Sequence, residues 1–292
     1  MIHTATQLKA LVRNMSHGDS AKAQLLLRSY AIERFLARLA QSEYREKIIL
    51  KGGALVAAML GLARRSTMDM DATVKQHPLS AADAGKIVVD IIEITLDDGI
   101  SFVVQSVETI MDEADYSGIR VKMEATLDTM RIPLKLDFST GDVITPKEVL
   151  FSYPLLFENS TLPVYAYNLE TLLAEKLETI LARGAANTRM RDFYDVYALD
   201  TAYASTINRE TLQAALASTC EIRGSAHLLR HWEQTLAETQ ADPEIVSLWE
   251  RYRQKFDYAA GIGWDAVMGT VHAICRKALH PKGAGSVGRQ PQ

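Results

Sequence analysis

The hydrophobic pattern along the chain changes period several times, and each change predicts an element. Across residues 20–41, SAKAQLLLRSYAIERFLARLAQ keeps apolar residues at helical spacing with basic residues between them, which predicts one amphipathic helix. KIILKGGALVAAMLGLA then reads as a short apolar strand, a break at Gly52-Gly53 and an Ala/Leu-rich helix. STMDMDATV alternates with period two: Met68, Met70, Ala72 and Val74 fall on one side, Asp69, Asp71 and Thr73 on the other. Residues 79–96 predict a helix, and residues 100–107 and 118–125 predict strands parted by the acidic loop MDEADYSG. RIPLKLDFS alternates again, with Ile132, Leu134, Leu136 and Phe138 inward and Lys135, Asp137 and Ser139 opposite. Pro133 predicts that this is an edge strand or the start of one.

After Asn168 the pattern is almost wholly helical, with helices predicted at 169–183, 190–199, 209–218, 225–238, 243–258 and 264–278. The tail PKGAGSVGRQPQ, rich in Gly, Pro and Gln, predicts disorder. No internal repeat is present. The plan is α+β: a mixed-sheet domain with N-terminal helices over 1–165, a helical domain over 166–280 and a tail at 281–292.

Composition narrows this picture in three ways. The 292 residues carry a formal net charge of -4, which argues against a uniformly basic nucleic-acid coat but leaves room for a local basic patch. Cys220 and Cys275 form no Cys-x-x-Cys unit and have no histidine at metal-ligand spacing, so reduced thiols are expected and a zinc site is not. The first twenty residues contain no uninterrupted apolar run, and no stretch approaches the roughly 18 charge-free apolar residues of a membrane span. A cytoplasmic protein is expected.

The candidate chemistry is carried by carboxylates. Asp at i and i+2 on a strand presents two like charges on one face, which repel unless a cation lies between them. Hard oxygen donors without Cys or His suit Mg²⁺, which takes one or two carboxylates and fills its shell with water and phosphate. Asp137 on a second strand supplies a third carboxylate, and Gly52-Gly53 lets backbone amides approach a phosphate at a helix start. On its own an Asp-x-Asp pair is most often a solvated strand edge, and a glycine pair most often a turn. Their order, with Asp137 on a later alternating strand, is what makes a site of them.

Downstream, Leu169, Leu172, Leu173, Leu177 and Ile180 form an apolar stripe with Lys176 in its middle and Arg183 on the same side. A lysine there needs anionic company, either a structural carboxylate or a phosphate. Asp192 and Asp195 on the next helix are the available partners. The plainer alternative is an Arg191–Asp192 cap with Asp195 at the surface. Arg64 and Arg65, just before the Asp-x-Asp, are phosphate or RNA contacts or a solvated loop pair.

The runs YAIERFLARL, LKGGALVAAMLGLARRSTMDMDATV, PLKLDFSTGDVITP and YNLETLLAEKLETILARGAANTRMRDFYDVYAL resemble the AbiEii/AbiGii toxin family of polymerase-β-like nucleotidyltransferases. The resemblance implies toxins of abortive-infection toxin–antitoxin pairs with an antitoxin encoded alongside. It maps the family's glycine pair and Asp-x-Asp onto Gly52, Gly53, Asp69 and Asp71, with Gly53 standing where many superfamily members have Ser. The third carboxylate maps onto Asp137, and the downstream motifs onto Lys176, Arg191, Asp192 and Asp195. The implied reaction moves a nucleoside monophosphate from an NTP, GTP or CTP, to RNA, tRNA above all. Asp69 and Asp71 would hold Mg²⁺, Asp137 would help bind a second Mg²⁺, and Lys51, Gly52, Gly53, Arg65, Ser66, Lys176, Arg183 and Arg191 would hold the nucleotide. Asp192 or Asp195 would orient Lys176 or act as a base. A metal-dependent nuclease and an inactive nucleotide-binding module are the alternatives.

Overall fold

A computed structural model of the chain describes residues 2–75, 79–111 and 117–280. The tail expected to be disordered and most of the acidic loop fall outside the described residues. The chain divides into two compact units, one ending at Asn168 and the other beginning at Leu169.

The first unit opens with α1 (Ala5–Ser16) and α2 (Ser20–Leu39), each started by a side chain that accepts otherwise orphaned amides. Thr4 makes a capping box with Gln7, and Asp19 accepts from the Ala21 and Lys22 N–H groups. The amphipathic expectation for α2 describes only its first half. From Ser29 to Leu39 every residue is buried, Glu33, Arg34 and Arg38 included. The arginines avoid the cost of lone buried charge by finding carboxylates. Arg38 forks onto Asp98 at 2.8 and 2.9 Å, and Arg34 pairs with Glu33.

The remaining elements are β1 (Ile48–Lys51), α3 (Gly52–Leu60), β2 (Met70–Val74), α4 (Ala81–Ile92), β3 (Ile100–Met111), β4 (Ser117–Leu127), β5 (Met130–Thr140), β6 (Val149–Pro154) and β7 (Thr161–Ala166). The strands form one mixed sheet in the order β3-β4-β5-β2-β1-β7-β6. β2 runs parallel to β5 and β1 parallel to β7, and the other neighbours are antiparallel. The alternation of β5 is realised: Ile132, Leu134, Leu136 and Phe138 are buried, and α2 packs against the strand. Each such side chain contributes on the order of 1.5–3 kcal/mol of burial.

Pro133 does not mark an edge. β5 lies inside the sheet between β4 and β2. The proline is tolerated because β2 pairs with β5 only from Leu136 onward, so no β2 ladder exists at that position to be broken. α4 is shorter than the expected 79–96, bounded by a Ser80–Asp83 capping box and by Glu93. β6 and β7 are additions to the expected plan.

The second unit consists of α5 (Leu169–Arg183), α6 (Met190–Tyr203), α7 (Arg209–Ile222), α8 (Trp232–Ala241), α9 (Pro243–Lys255) and α10 (Trp264–Leu279). The stripe Leu172, Leu173, Leu177 and Ile180 is buried, as are Phe193, Val196 and Leu199 on α6. The helix expected at 225–238 is instead a short 3₁₀ turn at Ala226–Arg230 followed by α8. Among the described residues no helix is long and apolar enough to cross a membrane.

Candidate active site

The sheet unit assembles its site where β1 ends. Gly52 has φ +58°, in the left-handed region, and a Cβ there would lie 2.5 Å from Asp71 Oδ2. Glycine is therefore required on both conformational and steric grounds. The turn it permits starts α3 against β2, and the Gly53 amide donates to Asp71 Oδ2 at 3.0 Å. An amide expected to be free for phosphate thus holds a carboxylate, and the start of α3 is a favourable place for that negative charge. Arg65 is buried and brings Nη2 within 3.2 Å of where a Gly53 Cβ would stand, with Thr67 Oγ1 at 3.3 Å. Of the two arginines, then, only Arg64 is a solvent-facing loop residue. Ser66 follows directly, and its carbonyl accepts from Arg65 Nη1.

Strand register sets the next layer. Lys51 is opposite Asp71, Asp71 is opposite Asp137, and Asp137 is opposite Arg120. Cross-strand partners share a face, so one row crosses β1, β2, β5 and β4 with charges plus, minus, minus, plus. Adjacent strands are roughly 4.8 Å apart, which brings the Asp71 and Asp137 backbones together as the sequence reading requires. Each carboxylate is steadied by a neighbour. Arg120 donates to Asp137 through Nε at 2.8 Å and Nη2 at 2.7 Å, and this bond raises the guanidinium further above its ordinary range. Lys51 pairs with Asp142, at 2.8 Å, and lies 3.5 Å from the Tyr167 hydroxyl. Burial pushes the Asp142 carboxyl up, but the Lys51 charge and hydrogen bonds from Lys51, Ser139 and Thr73 outweigh it and hold the group below the ordinary carboxylate value.

Asp69 sits just ahead of β2, with Lys135 Nζ 3.7 Å from its Oδ1. That oxygen is tucked out of solvent and accepts no hydrogen bond. Among the described residues, no three His, Cys, Asp or Glu side chains converge into a closed metal cage. The expected convergence of Asp69, Asp71 and Asp137 is replaced by separate pairings, because like charges at this spacing repel and each takes the nearest donor. The donor set nonetheless fits a hard divalent cation at Asp69 and Asp71. Both supply oxygen, and Asp69 Oδ1 is a buried acceptor without a hydrogen bond.

In the helical unit Lys176 is buried, and its Nζ lies 3.0 Å from Asp192 Oδ1 and 2.7 Å from Asp195 Oδ2. Both candidate partners are therefore engaged. Arg189 Nε lies 3.2 Å from Asp192 Oδ2 and helps balance the second carboxylate. The surface reading of Asp195 is wrong, since it is fully buried, and Arg191 does not cap Asp192 but lies over the Phe256 ring at 5.5 Å. Arg183 is half-buried at the end of α5.

Arg120 and Asp142 went unread in the sequence. The signal for Arg120 was present: β4 and β5 are joined by the two-residue turn Asp128-Thr129, and counting back from it sets residue 120 opposite 137. Asp142 lies beyond β5 and carries no periodic signal.

The family profile for "Nucleotidyl transferase AbiEii toxin, Type IV TA system" matches residues 34–269. Two solved structures from Helicobacter pylori are similar at a distance. A candidate nucleotidyltransferase is 17% identical with a TM-score of 0.47, over 87% of this chain and 96% of that one. JHP933 is 16% identical with a TM-score of 0.46, over 86% and 93%. No curated protein matches the chain.

Proposed function

The chain belongs to the AbiEii nucleotidyltransferase toxin family of type IV toxin–antitoxin systems, and we propose that it transfers a nucleoside monophosphate from an NTP to an RNA acceptor at the Asp69–Asp71–Asp137 centre. Family membership makes it a nucleotidyltransferase toxin with a nucleotide substrate and an antitoxin partner. Magnesium dependence, GTP or CTP as the nucleotide and tRNA as the acceptor are the finer parts of the proposal. The observation that carries it is the glycine turn that pins Asp71 by the Gly53 amide while Asp69 keeps a buried, unsatisfied oxygen.

Asp69 and Asp71 are the proposed cation ligands, and a divalent ion bound there would neutralise charge developing on the transferred phosphoryl group. The chain's own residues then do the positioning. Gly52 and Gly53 fix the Asp71 carboxylate through backbone geometry, and Asp137 lies in register beside it as the third carboxylate of the centre. Arg65, Ser66 and Lys51 flank the glycine turn and are the proposed phosphate contacts. Lys51 is already shared with Asp142, so it serves as a held charge of fixed position. Lys176, Arg183 and Arg191 enter the proposal on the family motifs. Lys176 is neutralised within its own unit, so a phosphate would share it with Asp192 and Asp195.

The test is incubation with tRNA, Mg²⁺ and each labelled NTP in turn. The proposal expects label in the RNA with one NTP preferred, abolished by Asp71→Ala. Shortened, unlabelled RNA would mean a nuclease. Intact, unlabelled RNA with all four NTPs would mean a binding module.

A further inference from the structure

Three carboxylates, Asp71 and Asp137 in the row and Asp69 just ahead of β2, suggest two metal ions, but Asp137 already holds a cation. We propose that Arg120 occupies the second cation position, so that this chain binds one divalent metal ion, at Asp69 and Asp71, with the guanidinium on Asp137 in place of another. The inference rests on the nucleotidyltransferase reading of the same centre and deepens it.

Three observations lead there. The pairing is built into the sheet: Arg120 and Asp137 are direct register partners on β4 and β5, so contact needs no excursion of a loop. The fork engages both Asp137 oxygens, at 2.8 and 2.7 Å, so a metal ion at this carboxylate would have to share them with the guanidinium. A guanidinium cannot lose its proton in a protein, so a divalent ion arriving at Asp137 meets a permanent positive charge within a few ångströms. Asp69 offers the contrast: its nearest cation, Lys135, is at 3.7 Å, and Oδ1 is buried without a hydrogen bond. The sheet thus separates a carboxylate held in a bidentate fork from one whose cation contact is longer and not hydrogen-bonded.

Arg120 Nη1 takes no part in the fork and, among the described residues, makes no hydrogen bond, so it remains available to a phosphate or ribose oxygen of the substrates. On this assignment Arg120 and Asp137 act as a unit: the carboxylate orients the fork, and the fork supplies the charge.

The experiment counts metal ions. The full chain is titrated with Mn²⁺ and free Mn²⁺ is read by electron paramagnetic resonance, alongside Arg120→Met and Asp137→Asn, with thermal melts to establish folding. Expected are one Mn²⁺ per wild-type chain, two in Arg120→Met, and one in Asp137→Asn with affinity within about threefold of wild type. Two Mn²⁺ in the wild type, one in Arg120→Met, or a tenfold loss of affinity in Asp137→Asn would each overturn the assignment while leaving Asp69 and Asp71 as metal ligands. No binding by the wild type would overturn the metal reading and this inference with it. If Arg120→Met does not fold, Asp137→Asn decides alone: affinity kept supports the assignment, and affinity lost defeats it.

Discussion

The charged row of the sheet unit and the charged cluster of the helical unit use the same residue types to different ends. In and beside the row, the Asp137 side chain is 20% exposed and Asp69 40%, and Asp69 Oδ1 accepts no hydrogen bond. In the cluster, Asp195 is 0% exposed, Lys176 8%, and two carboxylates close on one ammonium. Asp137 and Asp69 keep contact with water, which suits the cation and phosphate site proposed for them. The cluster is dry and nearly complete, so its members are expensive to separate. Within a single chain, the same ion-pair chemistry is left partly wet in one unit and sealed from water in the other.

The sharpest way to break that contrast is Asp71→Ala. Transfer of labelled nucleotide should fall by roughly a thousandfold or more, since cation-borne charge stabilisation is worth several kcal/mol. The thermal midpoint should stay within a few degrees of wild type, because a repelling carboxylate has been removed. Unchanged turnover in this variant would leave the row without its assigned role.

Lys176→Met tests the other side. It removes the ammonium that two buried carboxylates share, Asp192 keeping Arg189, and urea denaturation should show a loss of about 3–5 kcal/mol, the cost typical of breaking a buried pair by removing one partner. A loss below about 1 kcal/mol would mean that the cluster resembles the row after all. Gly52→Ala should be milder in stability, on the order of 1–3 kcal/mol for the strained backbone. Its Cβ would strike Asp71 Oδ2, so transfer should fall with it, read by the same labelling assay.

The smallest expected effect concerns acid. Asp142 titrates below the ordinary carboxylate value in the folded chain, so its contribution is complete above the unfolded value of about 3.9 and is lost as pH falls below it. Lys51→Met removes the principal cause of that depression. The difference between wild-type and variant urea midpoints should therefore shrink as pH drops from about 5 toward 3. A gap independent of pH would mean that Lys51 supports the fold by packing alone.

Much of this was legible in the residues. Period-two alternation located β2 and β5 and put Asp69, Asp71 and Asp137 on the polar side, and the apolar stripe of α5 flagged Lys176 as a lysine needing an anion. What escaped notice was pairing at long range. Arg38 looks like the wet face of α2 because its carboxylate comes from elsewhere: Asp98 lies 60 residues beyond it. β6 and β7 contain Pro154 and Pro163 in short segments at one side of the sheet, where the proline lowers any strand signal. The split of the 225–238 segment into a 3₁₀ turn and α8 has no marker in its composition that we can identify.

The Asp128-Thr129 turn works as the zero mark of a ruler. Asp128 holds φ +52°, and its carboxylate accepts the Ala5 amide at 2.7 Å, so the tight turn and the start of α1 are both indexed from the same residue. Seven residues along β4, about 23 Å away at strand rise, the scale reads Arg120 against Asp137. Lengthening the turn by one residue, with the register following, would slide the scale one division. An isoleucine or a valine, Ile119 or Val121, would then face the carboxylate, and every charge on β4 would turn to the opposite face. The electrical character of the centre is thus written partly in the length of a loop that touches none of it, and loop-length variation there is a means of changing the chemistry with every side chain in the row left intact.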